Sequence, residues 1–530
     1  MMATYSILSL NRVFISRLKQ IRTLSTKIQR DSNEWCGVIG LEIHAQILSE
    51  TKMFSGSATT YGAPTNTQVS FFDAALPGTL PVLNKKCLEA GVLTSLALGC
   101  NINKVSLFDR KHYFYADLPA GYQITQYFKP LAQGGKLKYY VPGHSKDKGH
   151  VEKVARITQI QLEVDSGKSL HDYTDKITLI DLNRAGMGLM EIVTEPDFKN
   201  GEEAAAFLKE LQLLLMTLGT CNGKMSEGSL RVDANISIHR QSEPYGVRTE
   251  VKNINSIRNV AKAIDYEIQR QTIGKNEGKE IENETRSFDS ETGETVSMRD
   301  KEGFQDYRFM PEPNLLPVHV YDNSTVPCDA HSEVVNMDTL REQMPELPHK
   351  KREHLQKNYN LSIEVINILL FEDGLLQLFE DCVNASKGRL ASVQIICNFL
   401  INEFLQYVNA LNTTVKQSGI TAVALADICD MLDQDEISRG TAKEVLLLLF
   451  EDPSQTPSSI VQSRNWNQIQ NVEYLEKTCS EVIENNAKAV KKYKKGKTKA
   501  INSLIGEVIK KTGQRADPIL VNNILKKLLE

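Results

Sequence analysis

No apolar run in this chain approaches the ~18 residues that a membrane span needs, and no Cys-x-x-Cys pair occurs. The cysteines, Cys36, Cys87, Cys100, Cys221, Cys328, Cys382, Cys397, Cys429 and Cys479, are scattered and odd in number. That argues against a disulfide framework and a structural zinc site, and a reducing compartment is the simplest home. A P-loop is missing, because Gly496-Lys497-Thr498 has Lys491 where the first glycine belongs. Gly186-Met187-Gly188 lacks the third glycine of a dinucleotide fingerprint. Neither a Gly-x-Ser-x-Gly elbow nor a Gly-Gly-Ser-Ser amidase-type stretch is present. A nucleotide, if used, is therefore not cradled in a P-loop. Neither sign of charge dominates either: 62 Lys and Arg against 66 Asp and Glu give a net charge of −4, which leaves nucleic-acid contacts to local basic patches. Acids are absent before Asp31, while Arg12, Arg17, Lys19, Arg22, Lys27 and Arg30 alternate with apolar residues and serine. Residues 1–32 thus have the composition of a mitochondrial transit peptide.

What is there is a chain of 530 residues, long enough for two to four domains. Its 41% hydrophobic and 24% charged residues are ordinary for a soluble globular protein. Residues from about Glu34 to Pro327 read as one large α+β unit, with strands broken at Leu76-Pro77-Gly78, Leu118-Pro119-Ala120-Gly121 and Val141-Pro142-Gly143. One helix is predicted from Asn200 to Gly219, burying Leu208, Leu211, Leu215 and Leu218. A second is predicted from an Asn255 or Ser256 cap to a stop at Gly274, burying Ile257, Val260, Ile264 and Ile268. Polar, acidic residues from Gly274 to Asp300 predict an exposed loop or hairpin. Beyond Asp338 the periodicity turns helical, over 363–370, 375–383, 393–411, 422–432, 441–450, 467–485, 497–512 and 518–529.

Four short alternating segments carry acids on one face. In Gly40-Leu41-Glu42-Ile43-His44-Ala45-Gln46-Ile47, Glu42, His44 and Gln46 point opposite to Leu41, Ile43 and Ala45. The pattern recurs around Glu163 and Asp165, around Arg231 and Asp233, and around Glu250 and Lys252. Together with Glu191 and Glu195 these residues suit a hard cation and phosphate oxygens. Ion pairing with Arg231, Arg248 and Lys252 is the alternative, and spacing alone leaves both open. Asp109 to Asp117 sets Lys111, Tyr113 and Tyr115 on one face, a cation beside two phenols that suits a phosphate with a stacked base; a tyrosine-rich structural strand reads the same way. A lysine run, Lys488, Lys491, Lys492, Lys494, Lys495, Lys497 and Lys499 around Tyr493, suits RNA phosphates or a solvated helix end.

At these residues the sequence resembles the GatB/GatE family of tRNA-dependent amidotransferase subunits. The resemblance is carried by VIGLEIHAQILSETKMFSGS, LPGTLPVLN, RKHYFYADLPAGYQITQ, LEVDSGK, LNRAGMGLMEIVTEPD, EGSLRVDANISI, EVKNINSIRNVAKAIDYEIQRQ, SMRDKEGFQDYRFMPEPNL and GKTKAINSLIGEVIKKTG, in family order. It implies an α+β fold: a large mixed-sheet catalytic cradle of glutamine-synthetase-like ancestry over 33–328, an all-α helical domain over 329–412, and a small all-α YqeY-like tRNA-binding tail over 413–530.

The resemblance further implies ATP-dependent conversion of Glu-tRNA(Gln) to Gln-tRNA(Gln) in the mitochondrial matrix. The partners implied are a GatA-type amidase subunit, a GatC-type small subunit and the misacylated tRNA, with no membrane. ATP and Mg²⁺ are the implied cofactors. Glu42, His44, Glu163, Glu191 and Glu250 are carried over as catalytic and metal-binding residues, and Lys111, Tyr113, Arg231 and Arg308 as ATP- or phosphate-binding residues. Asp165 or Glu195 could deprotonate ammonium. The family's zinc cysteines have no counterpart between Phe54 and Gly78, where Ser55, Ser57 and Ser70 stand, so no zinc is expected. Ala116, Ala120 and Met187-Gly188 also depart from the common pattern. A ligase for a free small carboxylate and a non-catalytic tRNA-binding scaffold are the competing readings.

Overall fold

A computed structural model describes residues 35–143, 149–172, 174–298, 306–327, 334–386, 392–469, 471–494, 500–513 and 515–529. The transit-peptide segment lies outside them, as do Cys328 and Lys495, Lys497 and Lys499. The chain divides into two units, one ending at His349 and the other running from Lys350.

The first unit is built on a ten-stranded mixed sheet. In chain order its strands are β1 (Cys36–Gln46), β2 (Asn101–Ile102), β3 (Ala132–Gln133), β4 (Lys136–Val141), β5 (Val151–Val164), β6 (Gly188–Thr194), β7 (Leu230–His239), β8 (Thr249–Ile254), β9 (Thr285–Asp289) and β10 (Glu294–Ser297). They lie in the order β10-β9-β8-β7-β1-β6-β5-β3-β2, with β4 paired to β5. Only the β8–β9 pairing within it is parallel.

The alternation in β1 sends Ile39, Leu41, Ile43 and Ala45 into a core that also holds Phe207, Leu211, Leu215, Val260 and Ile264. Those last residues belong to helices α2 (Gly201–Leu218) and α3 (Ile257–Asn276), while α1 (Lys85–Ala97) packs beside β5. Close approach there requires Gly91, since a Cβ would come within 2.6 Å of Leu131 and 3.0 Å of Leu162.

α2 follows its sequence signals. Asn200 accepts the Glu203 N–H, and Gly219 ends the helix at φ 66°. α3 overruns the predicted stop at Gly274 to Asn276. A glycine inside a helix costs only ~1 kcal/mol, and the left-handed turn is made by Gly278 at φ 75° instead. Ser256 caps α3 without a side-chain hydrogen bond, and Ile257 and Ile268 are only partly buried. The acidic stretch after α3 forms the β9–β10 hairpin.

The second unit is helical. One core gathers Phe379, Phe399, Phe404 and Leu446, and another Leu475, Leu504, Val508 and Leu525. The helix predicted over 393–411 is interrupted by a π-helical segment, Leu400–Phe404. Of the lysine run, Lys488, Lys491, Lys492 and Lys494 fall on a helix, Ala487–Lys494, but the side chains of Lys488, Lys492 and Lys494 lie outside the description. Tyr493, read from sequence as a stacking ring, packs against the second core. No helix of the described residues is long and apolar enough to cross a membrane.

Candidate active site

The face of the sheet opposite α2 and α3 carries the polar residues, and register decides which of them meet. His44 of β1 stands opposite Arg231 of β7 on one side and Glu191 of β6 on the other, and Glu191 stands opposite Gln161 of β5. Two residues along, Glu42 stands opposite Asp233. Cross-strand partners share a face, so these rows form one floor.

A small three-stranded sheet contributes to the same place. Asp109–His112 pairs with Tyr122–Thr125 and with Met310–Pro311. Lys111 lies opposite Gln123 and Asp109 opposite Thr125, so these side chains share the face turned to the floor. Gln123 Nε2 donates to Glu163 Oε1 at 2.5 Å, and Thr125 Oγ1 accepts from Gln161 Nε2 at 3.2 Å. Strand geometry holds only for Asp109–His112, shorter than the alternation predicted, yet the Tyr113 and Tyr115 rings still meet edge to face at 5.7 Å.

Between the two sheets lies the tightest cluster. One donor atom each of His44, Glu163 and Glu191 lies within 4.8 Å of the other two. Glu163 and Glu191 are buried. Gln161 Nε2 donates to Glu191 Oε2 at 2.7 Å, as Gln123 does to Glu163. Tyr113 donates to Gln123 Oε1 at 2.8 Å. Glu163 Oε2 is buried and has no hydrogen-bond partner.

Such an atom is costly unless something positive meets it. Burial pushes the carboxyls of Glu163 and Glu191 above the usual carboxylate range, although Lys111 pulls both back. In return Glu163, then Glu191, hold the Lys111 ammonium above its ordinary value. Burial, then Glu163, raises the Tyr113 phenol. Two carboxylates, an imidazole and an unpartnered oxygen fit a divalent cation, and an oxygen-rich set with one histidine suits Mg²⁺ better than thiophilic metals.

The other predicted residues fall around this cluster. Glu42 accepts from Asn235 Nδ2 at 2.8 Å, and its charge bears on Glu191 and Glu250. Glu250 stands 3.6 Å from Lys252; burial raises its carboxyl and Lys252 opposes. Asp233 accepts the N–H of Asn253, which takes φ 56°. Asp165 is gripped by Arg231 at 2.9 Å and Arg184 at 2.5 Å. Burial works against the Asp165 charge, but the two guanidiniums outweigh it and leave this carboxyl below its ordinary value. That suits a structural anion rather than a proton acceptor. Glu195 accepts from Thr158 instead of joining the cluster. Arg308 is not brought to the acids: its side chain is 83% exposed, 4.0 Å from Asp306.

The ion-pair alternative therefore describes Asp165 and Glu250, whereas Glu163 and Glu191 have no ion pair within 4.0 Å among the described residues. Gln123, Gln161, Arg184 and Tyr307 were not picked out from sequence. Tyr307 lies under the Lys111 ammonium, 5.1 Å from ring centre. Glutamine carries no charge to mark it, and only the placement of Gln161 two residues before Glu163 on an acid-bearing strand offered a signal.

Residues 37–325 match the model of the GatB/GatE catalytic domain, and residues 377–529 match that of the GatB domain. The B subunit of mitochondrial glutamyl-tRNA(Gln) amidotransferase from Homo sapiens is 52% identical over 504 residues, spanning 95% of this chain and 90% of the human protein. Its counterpart of the same name from Drosophila melanogaster is 50% identical over 497 residues, 94% of this chain and 95% of the fly protein. The B subunit of aspartyl/glutamyl-tRNA(Asn/Gln) amidotransferase from Rickettsia canadensis (strain McKiel) is 43% identical over 504 residues, 95% of this chain and 99% of its own. With a large mixed-sheet unit, a helical region after it and relatives matched over nearly their whole length, this chain belongs to the GatB/GatE family.

Proposed function

We propose that this chain is the transamidating subunit of a mitochondrial, heterotrimeric glutamyl-tRNA(Gln) amidotransferase. In that reading a glutamate esterified to tRNA(Gln) enters the acidic pocket with ATP. Its side-chain carboxylate oxygen attacks the γ-phosphorus; an O–P bond forms, the bond from the γ-phosphorus to the bridging oxygen breaks, and ADP leaves. Ammonia, released from glutamine by a GatA-type subunit that a GatC-type subunit helps to hold, attacks the acyl carbon. The C–N bond forms, inorganic phosphate leaves with the C–O bond, and nitrogen sheds a proton.

The single observation that carries this is the cluster of half-buried His44 with buried Glu163 and Glu191, with a free Glu163 oxygen and the Lys111 charge acting on both acids. Phosphoryl transfer asks a protein for positioning and charge neutralisation more than for covalent help. His44, Glu163 and Glu191, with Glu42 and Glu250 beside them, would hold Mg²⁺, which supplies charge neutralisation of the triphosphate. Lys111 supplies a fixed positive charge for the transferred phosphoryl. Tyr113 orients Gln123, which fixes one Glu163 oxygen. Arg231, tied to Asp165, stiffens the edge of the floor rather than contacting phosphate, and Arg308 could reach a phosphate only from solvent. The basic, acid-free N-terminal segment and the mitochondrial relatives support a matrix location.

The test is ATP-dependent conversion of Glu-tRNA(Gln) to Gln-tRNA(Gln) by the complex, with ammonium in place of glutamine. Glu163→Gln and Glu42→Gln are expected to lose conversion while the complex still assembles. Full conversion by Glu163→Gln would move the chemistry elsewhere, and ATP turnover on free glutamate alone would favour the small-carboxylate ligase.

A further inference from the structure

A chain of aromatic rings runs outward from the acidic pocket. Tyr113, hydrogen-bonded to Gln123 inside, meets Tyr307 edge to face at 6.2 Å. Tyr307 meets Phe309 at 6.0 Å. Phe309 stacks on Tyr127 with centroids 3.9 Å apart and planes 8° from parallel. Phe128 closes the outer end, at 5.2 Å from Tyr127 and 6.3 Å from Phe309. Exposure grows along the way: Tyr113, Tyr307 and Phe309 are half-buried, while Tyr127 is 49% and Phe128 60% exposed.

The outer rings are held by buried groups. Asp109, 2% exposed, accepts the backbone N–H of Tyr127 at 2.9 Å and of Phe128 at 3.0 Å. On the other side, Met310 pairs with Arg110, whose guanidinium forks onto Glu312 at 2.6 and 2.9 Å. A carboxylate and a bidentate ion pair thus fix rings that leave apolar surface in water. Contiguous exposed apolar surface of this kind marks a contact site.

We propose that this ladder is a stacking platform for the unpaired 3′-terminal bases of the tRNA whose aminoacyl end enters the pocket; the inference rests on the functional reading above. An esterified glutamate can reach the pocket only if the nucleotides before it lie on the surface leading out, and the ladder is continuous with the pocket through Tyr113. Every base has a face that stacks on an aromatic ring, so such a platform serves a single strand without reading its sequence. Cations flank it: Arg308 precedes Phe309 and is 83% exposed, and Lys129 follows Phe128 and is exposed. They give the backbone phosphates partners. A pocket for a free nucleotide encloses most of its ligand, whereas Tyr127 and Phe128 stand half in solvent, which favours the strand over the adenine of ATP.

The experiment uses the complete complex and two probes, tRNA(Gln) with its unpaired 3′ nucleotides and the same tRNA trimmed of them. The wild type is expected to bind the full probe at least about tenfold more tightly, one good stack's worth. Phe309→Leu is expected to erase most of that preference while leaving the affinity for trimmed tRNA and the KM for ATP unchanged. Phe128→Ser, at the most exposed ring, serves as the second variant because it touches the fold least, and a smaller loss of the same preference is expected. No preference in the wild type, a preference intact in both variants, or a raised KM for ATP with the preference intact overturns the platform. Binding is read without turnover, so a Glu163→Gln complex that still converts Glu-tRNA(Gln) would sink the functional reading alone.

Discussion

Among the buried carboxylate sites of the first unit, those of Glu267 and Glu163 are opposites. Glu267 on α3 is fully buried and fully answered. Arg270 donates to it at 2.9 and 2.7 Å, Gln271 at 2.8 Å and Thr295 at 2.9 Å, with Arg286 at 3.6 Å. Arg286 also holds Glu284 and the Thr295 carbonyl, locking the β9–β10 hairpin to the helix. Glu163 is just as deep but receives one amide, and its second oxygen receives nothing. Evenly matched charge makes scaffold. Excess negative charge held in a polar cage leaves an appetite for a cation, which is what a site needs.

The largest way to break the comparison is at the scaffold. Glu267→Ala leaves two arginines without their buried partner and is expected to cost ~3–5 kcal/mol of stability, read as a lowered midpoint in chemical denaturation of the complex. An unchanged midpoint would mean the network is ornamental.

Next comes Glu163→Gln, expected to cut transamidation by ~10²–10³-fold with no loss of stability. The direction in which burial moves this carboxyl fixes the sign of the pH dependence. Burial raises the folded Glu163 carboxyl above the ordinary 4.5. Between that value and the raised one, the folded chain keeps a proton that the unfolded chain has lost. Stability therefore falls as pH rises through this window, and the deficit persists above it. The amide removes that fall, so the variant should be as stable as the wild type near pH 4 and more stable at neutral pH. A variant less stable at neutral pH would show that Glu163 is a scaffold residue like Glu267.

Smaller again is Gln123→Leu. It removes the donor that fixes Glu163 and the acceptor of the Tyr113 hydroxyl, the innermost ring of the ladder, and leaves the outer rings Phe309, Tyr127 and Phe128 in place. A loss of ~10–100-fold, the usual effect of an outer partner of a metal ligand, should come with a raised Mg²⁺ requirement and an unchanged KM for tRNA. Reduced conversion with the Mg²⁺ requirement unchanged would make Gln123 a packing residue.

Much of this was legible in the residues. Alternation in Leu41–Ile47 and around Glu163 gave both the strands and the acid-bearing face, because a period of two is all that a half-buried strand requires. Asn200 and Gly219 marked α2 at both ends. What failed to show was pairing. Asp165 and Glu163 are two residues apart, Glu163 at the end of β5 and Asp165 just past it, and read alike, yet Arg184 and Arg231 form ion pairs with Asp165, while Glu163 has a glutamine amide and no ion pair within 4.0 Å among the described residues. That choice depends on residues distant in sequence, so no local pattern carries it. Where Arg308 would sit was hidden for the same reason: its segment pairs with Asp109–Arg110, but its own side chain turns to solvent.

The finest test concerns a single hydroxyl. Thr295 donates to Glu267, which keeps three other donor contacts, from Arg270 and Gln271. Thr295→Val replaces that hydroxyl with a methyl of nearly the same size, so the bond to Glu267 and the one accepted from Arg286 Nε are both lost; about 2 kcal/mol of stability should go and transamidation should not change. Gln123→Leu also deletes one donor to a buried glutamate, but from a carboxylate whose second oxygen has no hydrogen-bond partner. Equal effects of the two variants on activity would erase the distinction between a saturated and an unsaturated acid. A loss confined to stability in one and to turnover in the other would show that the number of donors left behind, rather than burial or charge, separates framework from site.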